Sequence, residues 1–154
     1  MMEAFAATGG LLLGRKTYEG FAGHWPNQPD DDPVAGVMNG LEKYVVSTTL
    51  TEPLAWQNST LISGDLADGI GKLKAGSGKE IQVIGSGVLV QDLMREGLVD
   101  IYRLMVHPLV LGTGKRLFRD DTAPTRLRLV DSKPTTKGVL ILTYEPEPAE
   151  PSSA

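Results

Sequence analysis

Short apolar, β-branched runs recur along the chain, separated by polar stretches that carry apolar residues at helical spacing. The runs cover 11–13, 44–47, 60–63, 80–84, 101–106, 126–130 and 139–144, each bounded by Gly, Pro, Asp or Ser, the punctuation expected of strands. Among the first five lie segments 16–24, 34–41, 66–75 and 88–96, long enough for crossover helices. Such alternation predicts an α/β sheet of parallel strands. No helical segment separates the last two runs, and 131–138 reads as a hairpin loop, so the sheet is expected to end in antiparallel strands.

Two other segments break the pattern. Residues 25–33 hold three prolines and the run Asp30, Asp31, Asp32, and read as an exposed loop. The tail 146–154 is rich in Pro, Glu and Ser and reads as disordered. The expected organisation is therefore one domain over 1–145 followed by that tail.

Composition changes this picture in few places. The chain has 154 residues, no cysteine and a net charge of −4. The absence of cysteine excludes disulfides, thiolate zinc sites, iron–sulfur clusters and cysteine nucleophiles. An acidic chain without clustered basic residues argues against nucleic acid as a partner. No apolar stretch is long enough to span a bilayer, and the start lacks the basic residues of a signal peptide. The expected location is the cytoplasm.

Two strand-to-helix junctions carry candidate chemistry. At the first, Leu11-Leu12-Leu13 runs into Gly14, Arg15, Lys16 and Thr17. The first turn of a helix offers unpaired N–H groups and partial positive charge to an anion. Arg15 and Lys16 add charge, and a guanidinium grips phosphate by paired hydrogen bonds. That favours a phosphorylated ribose, hence NADPH over NADH. At the second, Ile81-Gln82-Val83-Ile84 enters Gly85, Ser86, Gly87 and Val88, with Val90 where a full G-x-G-x-x-G pattern needs glycine. Either turn alone reads first as an ordinary strand end. Together they are what a dinucleotide cleft needs.

Leu-Leu-Leu-Gly-Arg-Lys-Thr-Tyr-Glu at 11–19 resembles the signature strand and helix start of dihydrofolate reductases. It resembles still more the reductase domain of bacterial riboflavin biosynthesis and its stand-alone relatives. Segment 44–50, the Ile84-Gly85-Ser86-Gly87 turn, and 97–104 followed by 106–118 fall in the same order, with 138–144 as the closing strand. The resemblance implies a dihydrofolate-reductase-like α/β fold: a mixed, mostly parallel sheet flanked by helices and ending in antiparallel strands. It implies an NADPH-dependent oxidoreductase acting on a small pteridine- or pyrimidine-like heterocycle, similar to 5-amino-6-(5-phosphoribosylamino)uracil reductase. By position, Gly14, Arg15, Lys16 and Thr17 would meet the adenosine-phosphate side. Ser47 and Thr48 would lie near the 2′-phosphate and adenine, and Gly85, Ser86, Gly87 and Val88 would hold the pyrophosphate.

Departures from the pattern shape the rest of the reading. The family opens with a strand and loop upstream of Leu-Leu-Leu-Gly, whereas ten residues precede Leu11 here; a missing N-terminal strand and a poorly walled nicotinamide end are therefore expected. Glu3 is the one acid in that region and has no matching context, which turns the reading away from dihydrofolate reduction. Ile84 stands where riboflavin-pathway reductases carry a substrate-binding glutamate, Ser86 replaces a common glycine, and the pathway's deaminase zinc motif is absent. The alternative is an NADP-binding or scaffold protein of the same fold without turnover.

Other residues read more plainly. His107 is a strand-end residue, His24 and Trp25 are a helix end and a core anchor, and Asp65 and Asp68 suit a helix N-terminus. Lys115 and Arg116 serve equally as anion contacts or as surface. The apolar stretch of 101–106 with 109–111, and the dimers common among the resembling proteins, point to a homodimer as well as a small-molecule partner.

Overall fold

The structure, a computed structural model, describes residues 7–76 and 78–148. These fall into two compact units, one ending at Asp92 and one beginning at Leu93.

In the first unit, strands β1 (Thr8–Gly14), β2 (Glu42–Val46), β3 (Ser59–Ile62) and β4 (Glu80–Gly85) form a sheet of order β3-β2-β1-β4, parallel at every pairing. Helices α1 (Arg15–His24) and α2 (Pro33–Gly40) link β1 to β2, α3 (Leu66–Gly76) links β3 to β4, and α4 (Gly87–Arg95) follows β4. As the continuous apolar run predicts, β1 is central and buried on both faces: Leu11, Leu12 and Leu13 are 0%, 3% and 0% exposed. Leu11 and Leu13 join Tyr18, Met38, Val45 and Trp56 in the core. Thr8 to Gly10, expected to lie outside the strand, extend β1; residues 1–6, where the rest of the expected N-terminal gap falls, lie outside the described residues.

The connection from β2 to β3 is parallel yet contains no helix. Side chains hold it. Trp56 is buried, its Nε1 donates to Asn39 Oδ1 (2.7 Å), and its backbone N–H donates to the Tyr18 hydroxyl (2.9 Å). Lys43 of β2 is wholly buried beside it. The Lys43 Nζ donates to the Met38 carbonyl (3.1 Å) and the Asn39 carbonyl (2.9 Å), and stands 4.2 Å from the centre of the Trp56 ring. The last carbonyls of α2 have no partner within the helix, so this ammonium caps them from inside the protein. Burial pushes the Lys43 pKa down to about 8, with neighbouring Glu42 opposing the shift.

The 25–33 segment is more ordered than its composition suggests. Trp25–Asn27 forms a single 3-10 turn. Asp32 is the N-cap of α2: its Oδ1 accepts from the N–H groups of Val34 (2.8 Å) and Ala35 (3.1 Å), and Pro33 takes the first helical position. Reading Asp32 as one more solvated loop aspartate is thus corrected, because an Asp before Pro is a strong helix start.

The second unit holds a separate antiparallel sheet of order β5-β7-β6, with β5 (Tyr102–Val106), β6 (Leu127–Pro134) and β7 (Leu140–Pro146). The antiparallel ending is as expected, but the hairpin loop is shorter than 131–138. A register shift between Leu129 and Asp131 lets residues 131–134 keep pairing with β7, as a bulge does. Pro146 ends β7, and the N–H of Glu147 donates to the Arg126 carbonyl (2.9 Å). Residues 149–154, most of the expected tail, lie outside the described residues.

Candidate functional site

The sheet order brings three strand ends together. In register, Leu13 of β1 pairs with Gly85 of β4, and Gly14 pairs with Val46 of β2. Every candidate cofactor residue therefore lies on the C-terminal edge of three adjacent parallel strands, the edge where open α/β sheets bind ligands.

The two glycine junctions are in direct contact, and each leans on the other. A Cβ added at Gly14 would lie 2.6 Å from Ser86 Oγ; one added at Gly85 would lie 3.1 Å from Thr17 Oγ1. Gly85 also has φ +154°, a conformation side chains disfavour. Gly14 is the N-cap of α1, so the helix starts directly at Arg15. Ser86 precedes α4, and its Oγ accepts from the Leu89 N–H (3.4 Å). The serine that replaces a glycine here thus serves as a helix cap. A Cβ at Gly87 would meet nothing within 4 Å, and Val88 is 65% exposed. Two helix N-termini, with their free amides and partial positive charge, face the same place.

The surrounding side chains divide by role. Arg15 is half-exposed and Lys16 exposed. Arg15 Nη1 donates to both carboxylate oxygens of Glu19, at 3.1 Å each. Ser47 is buried at the end of β2, and its Oγ accepts from the N–H groups of Thr49 and Leu50, both at 3.1 Å. Ser47 therefore builds the turn on which Thr48 is exposed.

The residues set aside in the sequence have plainer roles. Asp65 Oδ1 accepts from the Asp68 N–H at the start of α3 (2.9 Å). His24 ends α1 with its ring 4.8 Å from that of Trp25, and His107 is exposed just after β5. Arg116 pairs with Asp120 (2.6 Å). A cavity of about 600 Å³ exists in the first unit, but its lining, which includes Gly9, Tyr44, Lys72 and Lys79, contains no junction residue. The chemistry, rather than this hollow, locates the candidate site. Sequence reasoning missed Glu19, although its place four residues after Arg15 is the signal of a helical ion pair.

The sequence matches the RibD C-terminal domain over residues 1–141. The chain belongs to that family. RibD C-terminal domains are a reductase family that typically uses a nicotinamide cofactor. Among curated proteins, the uncharacterized protein YyaP of Bacillus subtilis is 31% identical over 137 residues, 87% of this chain and 72% of that protein. The uncharacterized protein YwjB of the same organism is 32% identical over 125 residues, 80% of this chain and 66% of that protein. The crystal structure of a protein assigned to riboflavin biosynthesis in Shewanella sp. PV-4 has a TM-score of 0.76 and 24% identity, covering 96% of this chain and 79% of that one. The likeness confirms the dihydrofolate-reductase-like fold expected from the sequence.

For this RibD C-terminal domain, the contact between junctions is itself testable. Gly14→Ala should destabilise the protein by about 1–3 kcal/mol, the usual cost of forcing atoms into a filled space. Adding Ser86→Ala should recover part of that loss, because the nearest remaining atoms of residue 86 lie 3.4 Å away. Urea unfolding of the two single variants and the double variant measures this. Additive losses would mean that the junctions do not touch.

Proposed function

We propose that the chain is an NADPH-dependent reductase of a small pteridine- or pyrimidine-like heterocycle, similar to the riboflavin-pathway uracil reductase. The observation that carries this reading is the meeting of two glycine junctions at the C-terminal ends of β1 and β4. The residues present fit the cofactor. The open side of Gly87 admits a pyrophosphate to the first amides of α4, with Gly85, Ser86 and Val88 shaping that turn. Gly14 and Thr17 serve the adenosine-phosphate side, Arg15 and Lys16 the ribose phosphate, and Thr48, on the turn held by Ser47, the neighbourhood of the adenine. When bound, the cofactor supplies the hydride, and the protein's part is binding and orientation.

Replacing Arg15 and Lys16 by Ala should weaken NADPH binding by about 1–3 kcal/mol, the worth of charge-assisted hydrogen bonds, and leave NADH almost unmoved. Calorimetric titration of both cofactors tests this; equal losses would mean that the pair does not read the phosphate. Turnover is tested by NADPH oxidation with a panel of pteridines and pyrimidines. Binding without oxidation of any of them would favour the alternative, a cofactor-binding protein without turnover.

We also infer a homodimer built on the second unit, and a cytoplasmic location. Among the described residues no helix is long and apolar enough to cross a membrane. One face of the antiparallel sheet carries Leu104, Val106, Leu129, Leu140 and Leu142, and Val106, Leu129 and Leu140 are exposed. In the following loop Val110 is 94% exposed. Apolar surface gathered in this way marks contact sites, and a self-complementary interface would cover it. Light scattering should give twice the 16.5 kDa of one chain; a single-chain mass at micromolar concentration would rule the dimer out.

A further inference from the structure

The ion pair at the start of α1 uses the arginine in an unusual way. Arg15 directs one nitrogen, Nη1, at both oxygens of Glu19, one helical turn away. The two oxygens of one carboxylate lie close together, so they share one hydrogen of that nitrogen. Among the described residues, the Nε and Nη2 hydrogens of Arg15 have no partner. The Nε hydrogen and one of the two on Nη2 point the same way along one edge of the guanidinium, and that edge is the fork that takes two oxygens of a carboxylate or phosphate side-on. Arg119 of the same chain shows the grip: its Nε and Nη2 take the two oxygens of Asp121 at 2.9 and 3.3 Å. Arg15 is therefore held from behind with its gripping edge open, beside the helix N-terminus and the exposed Lys16.

We propose that Glu19 is a positioning residue for a phosphate-gripping Arg15: it fixes the guanidinium through Nη1 and leaves the Nε–Nη2 edge to take a phosphate monoester on the ribose of the cofactor. The role rests on the NADPH reading above. Its physical basis is the cost of ordering. A free arginine loses its rotamer freedom when a ligand arrives, whereas one already tethered has less to lose. The opposing effect is repulsion between the Glu19 carboxylate and the phosphate. Both groups of the pair are nearly half-exposed, at 41% and 46%, so water and salt screen that repulsion.

Calorimetric titration with NADPH and NADH tests the role on the full chain. Glu19→Ala should weaken NADPH binding about two- to ten-fold, the range that ordering one rotamer-rich side chain supplies, and should leave NADH unchanged. Glu19→Gln keeps one oxygen to accept from Nη1 and should restore most of the loss. In an Arg15→Ala background, Glu19→Ala should have no further effect. Tighter NADPH binding by Glu19→Ala, equal weakening for both cofactors, or an effect that persists without Arg15 would overturn the proposal. Two failures are separable. If Arg15→Ala leaves NADPH binding unchanged, the phosphate reading itself falls. If Arg15→Ala weakens NADPH and Glu19→Ala does not, the reading stands and only the positioning role is lost.

Discussion

Gly87→Val is expected to abolish measurable NADPH binding while the protein still folds. The two halves of that expectation come from separate observations. At Gly87 an added Cβ meets no atom of the protein within 4 Å, so the branch point of a larger side chain has open space. Gly87 opens α4, where the first N–H groups have no partner within the helix, and Ser86 already provides the cap through its bond to Leu89. The branched side chain would instead fill the space through which a pyrophosphate reaches those amides. Losing two charge-assisted hydrogen bonds corresponds to about a hundred-fold or more in affinity. Titration calorimetry reads the binding, and thermal unfolding checks the fold. A folded Gly87→Val protein with unchanged affinity would remove this turn from the site.

The second large effect is on stability and follows from Lys43. Its unfolded-state pKa is near 10.5, and burial brings the folded value to about 8. Between those values the unfolded chain holds a proton that the folded chain has released, so the contribution of Lys43 to stability rises with pH. Below about pH 8 the cost of the buried ammonium is fully present; above about pH 10.5 it is gone. The whole difference amounts to about 3 kcal/mol. Lys43→Met keeps the length of the side chain and removes the titration. Unfolding free energies measured from pH 7 to 10.5 should therefore rise for the native protein relative to Lys43→Met by about that amount. A difference that stays flat would show that the Lys43 charge is not penalised by its surroundings.

Much of this fold was legible along the chain because its signals are local. Leu11 to Leu13 form an unbroken apolar run, and only a strand covered on both faces needs one. The stops at Gly14 and Gly85 mark the two junctions, and both candidate turns fall at the strand ends expected of them. What the chain could not display is adjacency. Leu13 and Gly85 are far apart in sequence, and the contact of Gly14 with Ser86 exists only once β4 lies beside β1. Lys43 shows the same limit: it stands just before the apolar run that begins at Tyr44, and its burial depends on carbonyls of α2 and a ring from the β2–β3 connection. The short hairpin loop was hidden by a bulge, since Asp131, Ser132, Lys133 and Pro134 have turn-like composition but pair with β7. Glu19 differs from these cases. Its spacing to Arg15 was visible, and only the choice of nitrogen required coordinates.

The place of the Lys43 ammonium against the Trp56 ring has a spectroscopic consequence. The chain has two tryptophans, and they stand in different surroundings. Trp56 is 2% exposed with a cation over its face, while Trp25 is part-buried with the His24 imidazole edge-on beside it. Light absorbed by Trp56 moves electron density within the indole, and a nearby positive charge shifts the energy of that excited state. Loss of the Lys43 proton thus changes the colour and yield of one emitter from inside the core. The protein carries an internal optical reporter of whether that single buried charge is present, readable without a label.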